Sequence, residues 1–296
     1  MLRIIDGQVF EGKPSTDRWI VTINDLGNGQ KEASIQRATD WVHDGPLDPD
    51  SILAQVLRGE REDPEAEHKE RANRKRAARR AKTKVRRLCK AFGLDTMFTL
   101  TYRENQTDLD TCKKHVKAFV RRVKRYIPGF RYVAAYEPQE RGAWHVHMAV
   151  KAIDKRFRVR GAWVKSYDVL RSTWRAVVGL DNGTVNVSDG RPGGRRGRVK
   201  RRSPARLAAY MSKYMLKGFE EGELFANRYS ASEQVELPKP QRMEFVKTSL
   251  AELVSLVYDE IAVGCVEIFN WLSRFGDVFY IATEPEKPRE LLPWEI

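Results

Sequence analysis

From residue 96 to residue 219 the hydrophobic positions switch back and forth between a period of two and a period near 3.6. TMFTLTY (96–102), FRYVAAYE (130–137), AWHVHMAV (143–150) and TVNVS (184–188) are short runs rich in β-branched and aromatic residues, and they predict strands. Residues 108–127 begin with acids, end with bases and set Val116, Phe119, Val120 and Val123 along one stripe, which predicts a polarised amphipathic helix. SYDVLRSTWRAVVG (166–179) predicts a second helix. SPARLAAYMSKYMLKGF (203–219) predicts a third, with Ser203 as N-cap and Pro204 at the first helical position. The order β-α-β-β-α-β-α predicts an α+β fold: a ferredoxin-like antiparallel sheet with helices packed on one face.

The flanks carry weaker patterns. RWIVTI (18–23) predicts a short strand, and PDSILAQVLRG (49–59) a short helix opened by Asp50 or Ser51. Residues 69–93 are rich in Ala, Lys and Arg, with Val85, Leu88 and Phe92 at helical spacing, and predict a basic helix ending near Gly93. Residues 249–272 are apolar but interrupted by Glu252, Asp259, Glu260 and Glu267, which predicts an amphipathic helix packed on protein and not a membrane span. The expected organisation is an N-terminal extension over 1–68, the basic helix over 69–93, a central domain over 94–220 with a Gly/Arg loop at 190–202, and a C-terminal extension over 221–296. Both extensions are expected to be helical.

Composition narrows the partner. The formal charge of the 296 residues is +14, which favours a polyanion, nucleic acid before membrane surface. Residues 69–90 hold twelve Lys/Arg against one acid, and residues 191–206 hold eight against none; taking +11 and +8 from +14 leaves −5 for the rest. Basicity therefore belongs to two tracts. Arg79 and Arg80 in the first, and Arg195, Arg196, Arg198, Lys200, Arg201 and Arg202 in the second, are the expected phosphate contacts. A solvated basic segment and a plain linker are the competing views of those tracts. Cys89, Cys112 and Cys265 are odd in number and lack metal-ligand spacing, and no leader-like apolar run opens the chain, so a cytoplasmic location is expected.

Two of the five histidines stand in WHVHM (144–148). On a strand His145 and His147 share a face while Val146 points to the other. If 130–137 pairs antiparallel with 143–150 about Arg141, Glu137 opposes His145 and Ala135 opposes His147, so a carboxylate joins the imidazoles and a small residue leaves room. Glu140 lies nearby but in the turn. Two imidazoles and a carboxylate with open positions suit Mg²⁺ or Mn²⁺ holding a phosphate oxygen. A merely polar sheet face is the plain alternative.

A second constellation is YMSKYMLK (210–217). At ~100° per residue Leu207, Met211, Met215 and Phe219 form an apolar stripe, while Tyr210, Lys213, Tyr214 and Lys217 cluster on another flank. Half-buried packing is the common role of such tyrosines. An adjacent ammonium, however, favours the nucleophilic phenolate and balances charge at a phosphorane-like transition state. Trp144 and Trp163 add faces on which bases could stack.

Taken together, MFTLTY (97–102), WHVHM and YMSKYMLK resemble, in order and spacing, the three motifs of HUH endonucleases, and most closely the two-tyrosine rolling-circle replication initiators of the phage gene A type. The resemblance covers about 96–219. It implies that His145, His147 and Glu137 bind Mg²⁺ or Mn²⁺, and that Tyr210 attacks a single-stranded origin to leave a 5′-phosphotyrosine and a free 3′-OH. Tyr214 then makes the second cut, with Lys213 and Lys217 as partner ammoniums. Tyr210 is the expected first nucleophile because Tyr214 sits nearer the apolar stripe. No GxxxxGK[ST] phosphate loop occurs, so strand separation would fall to a host helicase and synthesis to a host polymerase. Two alternatives remain: a non-catalytic binding protein on an RRM-like sheet, and an HUH transposase or relaxase. Relaxases, however, usually place their tyrosine before the histidines.

Overall fold

In the computed structural model, residues 2–27, 29–188, 203–220, 229–232 and 237–285 are described, with backbone alone for 188, 213–220 and 267. The chain divides into two units, one made of Met1–Glu70 with Pro238–Ile296, the other of Arg71–Leu237.

The first unit starts with three strands, Leu2–Ile5 (β1), Gln8–Asp25 (β2) and Lys31–Pro46 (β3), and a short helix, Ile52–Leu57 (α1), capped by the Ser51 side chain. β1 and β2 turn about Asp6 and Gly7, both at positive φ, the conformation a tight two-residue hairpin demands.

The second unit follows with a long helix, Ala66–Ala91 (α2), then Thr96–Tyr102 (β4), Leu109–Val123 (α3), Tyr132–Pro138 (β5) and Trp144–Val150 (β6). A two-stranded hairpin, Arg156–Val159 (β7) and Ala162–Lys165 (β8), precedes Ser166–Val178 (α4), Gly183–Ser188 (β9), Pro204–Glu220 (α5) and Tyr229–Ala231 (β10). The chain then returns to the first unit with Gln241–Val246 (β11), Leu250–Ile261 (α6), Cys265–Leu272 (β12) and Val278–Pro285 (β13).

In the first unit the strands run β1-β2-β3-β13-β12, with β11 also paired to β2. Its core is one sheet face under α6: Trp19, Val21, Ile23, Ala33, Ile35 and Ile281 pack with Leu253, Val257 and Ile261. The expected helical extensions are thus corrected, since the two ends of the chain share a single sheet. Residues 249–272, expected as one helix, are α6 up to Ile261, a turn at Gly264 (φ 73) and then β12. The capping box of Ser249 and Glu252 starts the helix as its sequence dictates. The strand beyond it is apolar on both sides, so its period does not separate it from helix.

In the second unit the sheet order is β10-β5-β6-β4-β9, every neighbouring pair antiparallel. One face, with Phe98, Leu100, Tyr136, Val146 and Met148, packs on α3 and α4 through Val116, Phe119, Leu170 and Trp174. The other face, with Met97, Val133, Ala135 and Ala149, packs on α2 and α5 through Val85, Leu88, Leu207 and Met211. Helices therefore cover both faces, not one as expected. The physical reason is in the strands, whose near-continuous apolar runs (VAA, MAV) have two faces to bury.

The three cysteines are free. Burial pushes the thiol of Cys89 up to about 12 and that of Cys112 up to about 11. Among the described residues no helix is long and apolar enough to cross a membrane.

Candidate metal centre and nucleophile helix

β5 and β6 are joined by a short turn in which Gln139 donates to Ala143 O (2.8 Å) and Gly142 to Gln139 O (2.8 Å). Arg141 ties this turn to the end of β4, its Nη2 donating to Tyr102 O at 2.9 Å. The resulting register pairs Glu137 with His145 and Ala135 with His147, as hairpin parity predicts.

One ligand atom from each of Glu137, His145 and His147 lies within 4.8 Å of the others, a spacing that can hold one metal ion. His147 Nε2 is 2.8 Å from Glu137 Oε2. Its Nδ1 is 3.5 Å from the Thr99 hydroxyl on β4, the residue across from it in register. The two imidazole centroids are 6.1 Å apart. Burial lowers the pKa of His147 below the ordinary histidine value, against the opposing hydrogen bond from Glu137. Burial, and then the proximity of His147, lower that of His145 as well. Both rings are therefore neutral at pH 7, with lone pairs available to a cation. The donor set fits a divalent ion: one carboxylate, two neutral nitrogens, and only the methyl of Ala135 opposite His147. Glu140 is exposed in the turn and does not join the group.

Ala135 and Ala149 flank His147 on its face of the sheet and belong to the cluster that α5 completes. The helix carrying the tyrosines thus covers the face that carries the imidazoles. Its first turn is fixed by Ser203, which is buried and accepts from Arg206 N at 3.2 Å. Leu207, Ala208 and Met211 are buried as the apolar stripe requires, and Tyr210 is half-buried at the margin of the same cluster. The backbone of α5 continues through Lys213, Tyr214 and Lys217, whose side chains lie outside the described residues.

Arg79 and Arg80 are exposed on α2 and line a surface depression with Thr83, Lys84, Arg87 and Leu237. Arg195, Arg196, Arg198, Lys200, Arg201 and Arg202 lie outside the described residues. The stacking role considered for Trp144 is corrected: its ring is buried under the α3/α4 face and its Nε1 donates to Thr107 O at 2.9 Å. Trp163 is 66% exposed.

Thr99 is the residue of this centre that sequence reasoning missed. Its signal is a hydroxyl in an otherwise apolar strand stretch, but relating it to His147 requires the pairing of β4 with β6, which local sequence does not state.

Residues 95–219 match the family model of the replication-associated protein ORF2. The match runs from just before β4 through nearly all of α5, and so includes Thr99, Glu137, His145, His147 and Tyr210. No curated protein and no solved structure matches the chain.

Proposed function

We propose that this chain initiates rolling-circle DNA replication by nicking single-stranded DNA at an origin, as a two-tyrosine HUH endonuclease and strand transferase. The observation that carries the reading is the convergence of Glu137, His145 and His147 on the sheet face that α5, the helix of Tyr210, covers. The family match over the same stretch supports it. So does the strand order β5-β6-β4-β9 with α3 and α4 between, which follows the split β-α-β-β-α-β arrangement of a ferredoxin/RRM-like core.

Glu137, His145 and His147 would hold Mg²⁺ or Mn²⁺, and the imidazole donors favour Mn²⁺. When bound, the ion polarises the scissile phosphate and draws off developing charge. The phenolic oxygen of Tyr210 attacks phosphorus, the P–O3′ bond breaks, and the phenol's proton is lost as the departing 3′ oxygen gains one. The products are a 5′-phosphotyrosine and a free 3′-OH that a host polymerase extends. Tyr214 cuts the regenerated origin in the same way, and the released 3′-OH attacks the first phosphotyrosine to close the displaced strand. Lys213 and Lys217, one helical turn apart, stabilise phenolate and transition-state charge. Arg79, Arg80 and the basic residues of 195–202 hold DNA phosphates, and a host helicase opens the duplex. An RRM-like binding protein would need an open sheet face, and here both faces carry helices.

The test is covalent capture. Purified chain with Mn²⁺ is mixed with 3′-labelled single-stranded oligonucleotides tiled across the replicon that encodes it, and run on a denaturing gel. A labelled band at the mass of protein plus fragment is expected from one segment. Tyr210→Phe with Tyr214→Phe should remove that band and leave oligonucleotide binding intact. A band that survives in the double variant, or none from any segment, overturns the reading.

A further inference from the structure

The β7–β8 hairpin belongs to neither large sheet. Its register pairs Arg156 with Lys165, Phe157 with Val164, Arg158 with Trp163 and Val159 with Ala162. Pairs alternate between the two faces of such a ribbon. One face is anchored: Phe157 is buried and stacks on Tyr126, with ring centroids 6.3 Å apart and planes 15° apart. The opposite face carries Arg156, Arg158, Trp163 and Lys165, all exposed. Residues 155–165 contain five Lys/Arg and no acid, and among the described residues no carboxylate pairs with Arg156, Arg158, Arg160 or Lys165.

The tip adds a second observation. Arg160 (φ 48) and Gly161 (φ 87) form the two-residue turn, and Arg160 therefore holds a left-handed conformation that a side chain with a Cβ adopts at a cost. Asn or Gly would relieve that cost. An arginine kept there indicates that the cation is used.

We propose that this face is a binding site for single-stranded nucleic acid, separate from the metal centre, in which Trp163 stacks on an unpaired base. Arg158, directly across from Trp163, and Arg156 and Lys165, next along the ribbon, hold the flanking phosphates, and Arg160 takes a further phosphate at the tip. Charge selects the ligand class, because a patch of cations without counter-charges fits a polyanion. The indole selects single strand over duplex, because its face is open to a base that has left the stack. The inference rests on the nucleic-acid part of the reading above and not on its cleavage chemistry.

The experiment uses the full chain and fluorescence anisotropy, with a labelled oligo-dT of roughly 20 nucleotides and a duplex of equal length as probes. Trp163→Ala is expected to weaken oligo-dT binding on the order of 10-fold while Trp163→Phe retains most of it, with duplex binding nearly unchanged. Arg160→Asn should weaken oligo-dT binding and raise the melting temperature. Unchanged oligo-dT affinity in Trp163→Ala, or an equal loss on duplex, sinks the assignment. The two readings fail separately. A chain that forms no covalent adduct yet shows the Trp163 effect loses the nuclease and keeps this site; an adduct with no Trp163 effect does the reverse.

Discussion

Burial sets the protonation of three imidazoles in the second unit. His115 on α3 receives little charge from its surroundings, and burial alone lowers its pKa below the ordinary 6.5. Its Nδ1 is 3.1 Å from the Tyr102 hydroxyl, whose own pKa is raised, chiefly by burial, so the phenol stays protonated and can donate. His145 and His147 are shifted the same way. A histidine with a lowered folded pKa binds fewer protons folded than unfolded once the pH drops below the unfolded value. Its contribution is then intact above 6.5 and is lost as pH falls from there through the folded pKa. In metal-free buffer the melting temperature should therefore fall between about pH 7.5 and about pH 5.5. His115→Gln keeps an acceptor for Tyr102 and removes one titrating ring, so that fall should be smaller in the variant. An identical fall would mean that His115 takes no part in acid destabilisation.

At the level of elements, α4 is seated on β9 by one close approach. A Cβ on Gly183 would meet Trp174 Cδ1 and Val178 Cγ2, both at 2.8 Å, and Trp174 itself is fully buried with its Nε1 donating to Thr101 O at 3.0 Å. The indole is held from both sides and cannot swing away cheaply. Gly183→Ala should cost about 1–3 kcal/mol in denaturant unfolding, the usual penalty for overpacking. A cost below about 0.5 kcal/mol would show that α4 shifts freely on the sheet. What the sequence disclosed of these elements follows their sequence separation. The register of Glu137 against His145 was legible because a five-residue turn fixes parity, and α5 was legible because Ser203, Pro204 and the stripe of Leu207 and Met211 agree. The pairing of β3 with β13 was not, since Ser34 and Tyr280 lie far apart in the chain and nothing local ties them. The β7–β8 ribbon escaped notice for another reason: its four-residue strands alternate basic with apolar residues and read as surface loop. Covering of the second sheet face was implicit in Val133, Ala135 and Ala149, which are apolar on the side the expected fold left open.

Over the whole molecule, charge is divided between the two units. Residues 71–237 carry 40 Lys/Arg against 15 Asp/Glu, a net +25, while the remaining residues carry 14 against 25, a net −11. The +14 of the chain therefore conceals a basic body that attracts polyanions and an acidic one that repels them. Affinity for single-stranded DNA should fall with salt in proportion to the phosphates neutralised, with a log–log slope of about −0.7 per contact. All of those contacts belong to the basic unit on this account. Replacing Arg79 and Arg80 together by Ser removes two exposed cations from α2. If both touch phosphate, the slope becomes shallower by about 1.4, uniformly across oligonucleotide sequences because phosphate contacts carry no base information. Replacing Lys13 and Arg274, exposed cations of the acidic unit, subtracts the same formal charge and should leave the slope where it was. Equal changes from the two pairs would mean that net charge acts at long range and that α2 makes no contact. A change from the first pair alone localises the DNA path on the unit that also carries Glu137, His145, His147 and Tyr210.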